Sequence, residues 1–85
     1  MDKNRLFWGS RRGMLELDLI LLPFVEQIYP TLETEDQERY HQLLEEQDQD
    51  LFAWLMKRND PENGELLKIV RIIRDTRSQI KRQSL

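Results

Sequence analysis

The apolar residues of this chain recur with the 3.6-residue period of an α-helix, and this pattern constrains the fold more than any other feature. It is clearest after residue 14, where the apolar positions are Leu17, Ile20, Leu21, Phe24, Val25 and Ile28. Pro23 is expected to kink or divide this helix. Tyr29-Pro30 should end it, because the residue before a proline is pushed out of the helical region. No alternating run typical of a β-strand competes with the helical pattern.

Start and stop signals indicate further helices on both sides of this one. Arg5 to Arg12 is a short first candidate, which Gly13 is placed to end. Thr34 and Gln37 have the spacing of a capping box, which predicts the start of a third helix. Asp48 is a suitable N-cap for a fourth helix.

The fifth helix is predicted to begin at Asp60-Pro61, because proline is well tolerated in a first helical turn, and to run to about Arg77. Residues 78–85 are polar and basic, and we expect this tail to fray. These elements predict an all-α protein, a compact single-domain bundle of about five short helices over residues 1–85. The predicted core draws on several helices and contains Leu21, Phe24, Leu44, Phe52, Trp54, Leu55, Ile69 and Ile73.

Composition limits the chemistry that this chain could perform. It has no cysteine, which excludes a disulfide framework, a thiolate nucleophile and a cysteine metal site. Its glycines form no phosphate-binding pattern, and His41 has no second histidine with which to share a metal. We therefore predict no catalytic residue, no metal site and no tightly bound cofactor, and a small enzyme is the least favoured class.

The longest apolar stretch, Leu19 to Val25, is interrupted by Pro23 and is far short of the ~20 residues that span a bilayer. The sequence also begins without a signal or transit pattern. We expect a cytoplasmic monomer with no membrane span.

The segment from Arg11 to Asp18 carries an unusual grouping of charges around Gly13. A glycine just past a helix end can take the left-handed backbone conformation, and Glu16 would then lie near the positive end of the next helix. One interpretation is purely structural: a helix end plus an Arg12/Glu16 ion pair worth about a few tenths of a kcal/mol. The other is a corner that projects charged groups toward a partner.

Arg12-Gly13-x-x-Glu16, followed by Leu17-Asp18, resembles the RGxxE signature of the succinate dehydrogenase assembly factor 2 family, the SdhE-like flavinylation factors. Trp8 precedes the signature and Pro23-Phe24 follows it at distances similar to those in the family. The stretch DLFAWL at residues 50–55 is similar to the family's DLFxWL.

The likeness covers roughly Arg5 to Arg74. One departure is Gln49, which stands where the family has a proline; it concerns a helix start and leaves the functional implication unchanged.

The resemblance implies a small helical bundle that assists another protein. The implied partner is the flavoprotein subunit of succinate dehydrogenase, and in some bacteria that of fumarate reductase. In those enzymes a histidine of the flavoprotein becomes bonded to the 8α carbon of FAD, so the partner holds the FAD. The implied function is that of an assembly chaperone that binds the flavoprotein and promotes this covalent attachment.

On this interpretation the partner-binding residues are Trp8, Arg11, Arg12, Gly13, Glu16 and Asp18. Arg12, with Arg11 beside it, would pair with carboxylates or carbonyls of the partner. Gly13 would allow close approach, and Glu16 would accept a hydrogen bond from the partner or anchor the corner through Arg12. Trp8 is either an interface anchor or a core residue.

The alternative is an antitoxin-like or nucleic-acid-binding small helical protein. The basic final helix and the Arg11-Arg12 pair would suit such a role. The net charge of −3 and the absence of interleaved aromatic and basic residues argue against it.

Overall fold

The computed structural model describes residues 3–81 and confirms the all-α prediction, with helices and no strand within that range. The helices are α1 (Lys3–Ser10), α2 (Leu15–Gln27), α3 (Thr34–Leu43), α4 (Asp48–Leu55) and α5 (Gly64–Thr76). Short 3-10 turns at Tyr29–Thr31 and Arg77–Gln79 follow α2 and α5. In the part of the chain that the structure describes, no helix has both the length and the apolar character needed to cross a bilayer.

The helical pattern of α2 correctly identifies its buried face. All of its predicted apolar positions belong to the core, from Leu17, which is fully buried, to Ile28, which is nearly so. Pro23 lies inside α2, and the helix continues through it as one element to Gln27. Helix α2 packs against α1 and α4, so the apolar stripe of α2 is covered from two sides. Helix α3 packs against α5.

Tyr40 of α3 occupies the middle of this core. Its ring lies 5.3 Å from that of Phe24, measured between centroids. Its buried hydroxyl is 2.7 Å from Oγ of Ser10, and that Oγ donates to the carbonyl of Leu6. The last turn of α1 is thereby fixed to α3, and a polar group that would be costly to bury alone is satisfied.

The predicted core is correct for Leu21, Phe24, Leu55, Ile69 and Ile73, which are all buried. It is wrong in part for α3 and α4, because Leu44, Phe52 and Trp54 are only half-buried against the cluster. Helix α4 has only eight residues, and one narrow stripe made of Leu51 and Leu55 faces the interior. Leu43 takes the buried position that we assigned to Leu44.

Two predicted helix caps are corrected. Thr34 is the first residue of α3 and makes no capping hydrogen bond, and Gln37 instead donates from its side chain to the carbonyl of Tyr29 at 3.1 Å. Asp48 is the first residue of α4 rather than its N-cap, which is Gln47. A carboxylate beside a helix start is available for other bonds, and Asp48 makes one with Arg12.

Helix α5 begins three residues later than Asp60-Pro61 suggested. Asn63 is its N-cap, and Oδ1 of Asn63 accepts from the backbone N–H groups of Glu65 and Leu66. An asparagine cap directly satisfies two of the amides that a helix leaves free at its start, whereas a proline only tolerates the position.

Two features stabilise the turn after α4: a left-handed backbone conformation at Lys57 and hydrogen bonds from Arg74. Lys57 has a φ of 60°, and the backbone N–H groups of Lys57 and Arg58 donate to Trp54 and Ala53, as in a helix ending that normally uses glycine. Arg74 of α5 donates twice to the carbonyl of Trp54, at 2.8 and 2.6 Å. It also pairs with Asp60 at 2.9 Å.

The first part of the tail that we expected to fray is held against α2. The side chain of Gln27 donates to the carbonyl of Lys81 at 2.8 Å and accepts from its N–H at 2.7 Å. Ile80 is half-buried against the core cluster. Residues 82–85 of that predicted tail lie outside the described residues.

Candidate partner-binding corner

Gly13 forms the corner between α1 and α2 as predicted, with a φ of +79°. A side chain at this position would meet nothing within 4 Å, so the requirement for glycine is one of backbone conformation rather than space. The open surroundings also mean that another molecule could approach the backbone here. We call residues 11–18 the Gly13 corner.

The guanidinium of Arg12 turns inward, toward the connection between α3 and α4. Its Nε donates to Oδ1 of Asp48 at 2.8 Å. Its Nη1 and Nη2 donate to the carbonyls of Leu44 and Glu46, at 2.7 and 2.8 Å. The predicted Arg12/Glu16 ion pair does not form, because all three nitrogens of the Arg12 side chain donate to the α3–α4 connection instead.

These bonds give Arg12 a structural role that the sequence did not reveal. Leu44 is the C-cap of α3, so its carbonyl lies at the negative end of that helix, where a cation is favourable. Asp48 opens the next helix. One side chain, with 17% of its surface exposed, therefore ties the Gly13 corner to both sides of the α3–α4 turn.

Asp18 is also used within the chain. Its Oδ1 accepts from the backbone N–H of Arg12 at 2.7 Å, across the corner from the first turn of α2. This bond fixes the direction of the backbone just before Gly13. Asp18 thus shapes the corner, and only part of its side chain faces solvent.

Glu16 differs from its charged neighbours. It is exposed in the first turn of α2, as predicted, and within residues 3–81 its carboxylate has no hydrogen-bond or ion-pair partner. The corner therefore presents, from a backbone held by the bonds of Arg12 and Asp18, an exposed carboxylate whose bonding capacity is unused within the described residues.

Trp8 and Arg11 lie on the outer side of the same corner. Trp8 is 61% exposed, which excludes the core alternative for this residue. The guanidinium carbon of Arg11 lies 5.5 Å from the centroid of the indole ring, within the range of a cation–π contact. The pair forms a stacked, solvent-facing unit.

The sequence analysis did not identify Leu15 and Leu19 as surface residues, although they are the two most exposed apolar residues of α2. Leu15 is 68% exposed and Leu19 is 66% exposed. Both residues fall outside the buried stripe of Leu17, Ile20 and Leu21, so the helical period itself contained the signal. The two leucines place an apolar surface beside Glu16 in the first turns of α2.

His41 lies on α3, away from the corner. Its Nε2 is 2.7 Å from the hydroxyl of Tyr29, while its buried Nδ1 has no partner within the described residues. Burial lowers the pKa of His41, because the charged imidazolium is disfavoured there. Within residues 3–81 no three potential ligands are grouped closely enough to hold a metal ion.

Comparisons with known proteins agree with the motifs at the corner. Residues 4–77 match the model of a family described as flavinator of succinate dehydrogenase. The chain is 56% identical to the FAD assembly factor SdhE of Pseudomonas aeruginosa over 74 residues, which are 87% of this chain and 88% of that protein. It is 57% identical to the protein of the same name from Pseudomonas putida, over the same shares. The Pectobacterium atrosepticum protein of that name is 42% identical over 72 residues, 85% of this chain and 82% of the relative.

Proposed function

We propose, from the premise that this chain belongs to the family of flavinators of succinate dehydrogenase, that it binds the flavoprotein subunit of that enzyme and promotes covalent attachment of FAD. Membership of this family favours an assembly factor over the antitoxin-like and nucleic-acid-binding alternatives. We extend the proposal to the flavoprotein of fumarate reductase, which the family resemblance implies for some bacteria. The chain as a whole, residues 1–85, acts as one domain in this role.

The division of labour follows from what each protein can hold. The chain has no glycine-rich loop for a dinucleotide, so the proposal places FAD in the partner. Bond formation between a histidine and the flavin 8α carbon requires correct orientation of both groups and stabilisation of the negative charge that gathers on the flavin. A helper can contribute by holding the partner in the arrangement where its own groups meet these needs.

The observation that carries the proposal is the carboxylate of Glu16, which has no partner within residues 3–81 and lies on a corner held by internal bonds. The left-handed Gly13 and the internal bonds of Arg12 and Asp18 fix the start of α2, so the backbone at Glu16 needs little further ordering on binding and only its side chain has to be ordered. We assign Glu16 the role of accepting a hydrogen bond or ion pair from a donor on the flavoprotein.

The remaining corner residues take different roles. Gly13 lets the backbone of the partner approach closely, since nothing lies within 4 Å of the place where a side chain would begin. Arg12 and Asp18 act as positioning residues through their bonds within the chain. Trp8 and Arg11 contact the partner from the outer side of the corner, where Trp8 is a suitable anchor.

The proposal is tested by reconstitution with the purified apo flavoprotein subunit of succinate dehydrogenase, FAD and this chain. Covalent flavin is read as fluorescence of the denatured flavoprotein band in a gel. We expect the chain to raise the yield or rate of covalent attachment well above that of flavoprotein and FAD alone. Equal attachment with and without the chain, at concentrations above those of the flavoprotein, would overturn the proposal.

A further inference from the structure

The most exposed apolar residues of α2 share one stretch of its surface. Leu15 and Leu19 are four residues apart, and Glu16 is three residues before Leu19, so these side chains are neighbours on the helix. Single exposed leucines are common on proteins and need no explanation. Two that are more than 60% exposed, and that are adjacent to each other and to the exposed Glu16, form a patch.

The patch continues into a groove between α2 and the segment that follows α5. Leu15, Leu19, Leu22 and Pro23 line one side of this groove, and Ile80 lines the other. The reciprocal hydrogen bonds between Gln27 and Lys81 hold that segment in place at the far end. The groove is therefore a formed feature with an apolar floor and an exposed opening.

We infer that this apolar groove of α2 is a second contact for the flavoprotein, in which an apolar side chain of the partner packs between Leu19 and Ile80 while the partner also contacts Glu16. This inference rests on the proposed function. Binding strength then comes mainly from the groove, whereas the effect on flavin attachment comes from the Gly13 corner.

Geometry supports the flavoprotein as the occupant. A body that meets Glu16 in the first turn of α2 must also lie over Leu15 and Leu19, because all three side chains project from about one turn of the same helix. Covering them removes apolar surface from water, which is the main source of affinity in protein association. An acidic residue at the edge of the patch makes an anionic membrane surface a poor alternative.

The rim of the groove fits a protein surface that is apolar at its centre and polar around it. Asp18 and Glu26 lie on the α2 side, and Arg77 and Lys81 lie on the opposite side. An apolar centre with charges of both signs at the edge is the usual composition of a specific protein interface.

The test measures affinity and flavin attachment separately. Leu19→Gln and Leu15→Gln are compared with Leu67→Gln, a half-buried leucine of α5 that belongs neither to the groove nor to the core cluster. Binding of each variant to the apo flavoprotein subunit of succinate dehydrogenase is measured by titration calorimetry. Thermal melts verify that each variant is folded.

We expect Leu19→Gln to raise the dissociation constant at least tenfold and to make the heat-capacity change on binding smaller. Leu67→Gln should leave both quantities unchanged. Flavin attachment by Leu19→Gln should recover when its concentration is raised to saturation. Unchanged affinity of both groove variants would overturn the inference. So would a concentration-dependent dimer of the unmutated chain that Leu19→Gln abolishes, because the occupant would then be a second copy.

These outcomes differ from a failure of the proposed function. If the unmutated chain neither binds the flavoprotein nor raises flavin attachment, the proposed function itself is wrong. If it does both and the groove variants behave as the unmutated chain does, only the groove inference fails.

Discussion

The Nε of Arg12 lies 2.8 Å from Oδ1 of Asp48, and this ion pair joins the Gly13 corner to the first turn of α4. Because the same guanidinium also binds the carbonyls of Leu44 and Glu46, the corner cannot move independently of the α3–α4 turn. The arginine of the RGxxE pattern therefore fixes the corner to the α3–α4 turn, whereas the glutamate makes no hydrogen bond or ion pair within residues 3–81.

Arg12→Ala should destabilise the fold more than Gly13→Ala, which reverses the order expected for an exposed Arg12/Glu16 pair. Loss of three bonds from one partly buried guanidinium should cost about 2–3 kcal/mol. Gly13→Ala should cost about 1 kcal/mol from backbone strain alone. Urea unfolding of both variants measures the difference, and an Arg12→Ala cost below that of Gly13→Ala contradicts this structural role of Arg12.

Lys57→Gly should stabilise the protein by about 0.5–1 kcal/mol. Lys57 holds a left-handed conformation with a φ of 60°, which glycine adopts at no steric cost. Lys57→Ala is the matched control, because it removes the charge and keeps the strain, and it should give no gain. Thermal or urea unfolding distinguishes them, and equal effects of the two substitutions would show that charge rather than conformation decides.

The free energy of unfolding should fall on mild acidification, and part of this loss should come from the protonation of His41. Burial lowers the pKa of His41, so the folded state favours the neutral ring and the unfolded state binds the proton more readily. The contribution of His41 is therefore fully present above its ordinary pKa of about 6.5 and is lost as the pH falls below that value.

The free energy of unfolding of the unmutated chain and of His41→Gln should be compared at pH 7.5 and 5.5. The carboxylates are the same in both proteins. The difference between the losses of unfolding free energy in the two proteins therefore gives the contribution of His41. The unmutated chain should lose more stability than His41→Gln. Equal losses would mean that the half-buried imidazole of His41 has no role in the pH dependence.

Much of the fold could be predicted because it depends on residues close in sequence. The buried stripe of α2 follows from the helical period, and the left-handed Gly13 follows from a glycine between two helices. The partners of Arg12 could not be found in this way, since Leu44 and Asp48 are 32 and 36 residues away. The sequence alone predicts Asp48 as a helix cap, and only the structure shows that its carboxylate accepts from the distant Arg12.

The exposure of Leu19 illustrates a second limit. The helical period places Leu19 outside the buried stripe of α2, but only the packing of α1, α4 and the segment after α5 shows that this side of the helix stays exposed. Trp8 likewise could be placed outside the core only from the packed structure.

The measurement that tests the account most directly is covalent flavin attachment to the flavoprotein subunit of succinate dehydrogenase by Glu16→Gln. Its control is Glu35→Gln, because Glu35 is likewise an exposed acid in the first turn of a helix, α3. Both variants should melt close to the unmutated chain, since exposed acids contribute little to stability.

At concentrations that saturate binding, we expect Glu16→Gln to lose at least nine-tenths of the stimulation of flavin attachment, and Glu35→Gln to retain it. Full stimulation by a folded Glu16→Gln would contradict the central claim that the exposed carboxylate of Glu16 on the Gly13 corner acts on the flavoprotein.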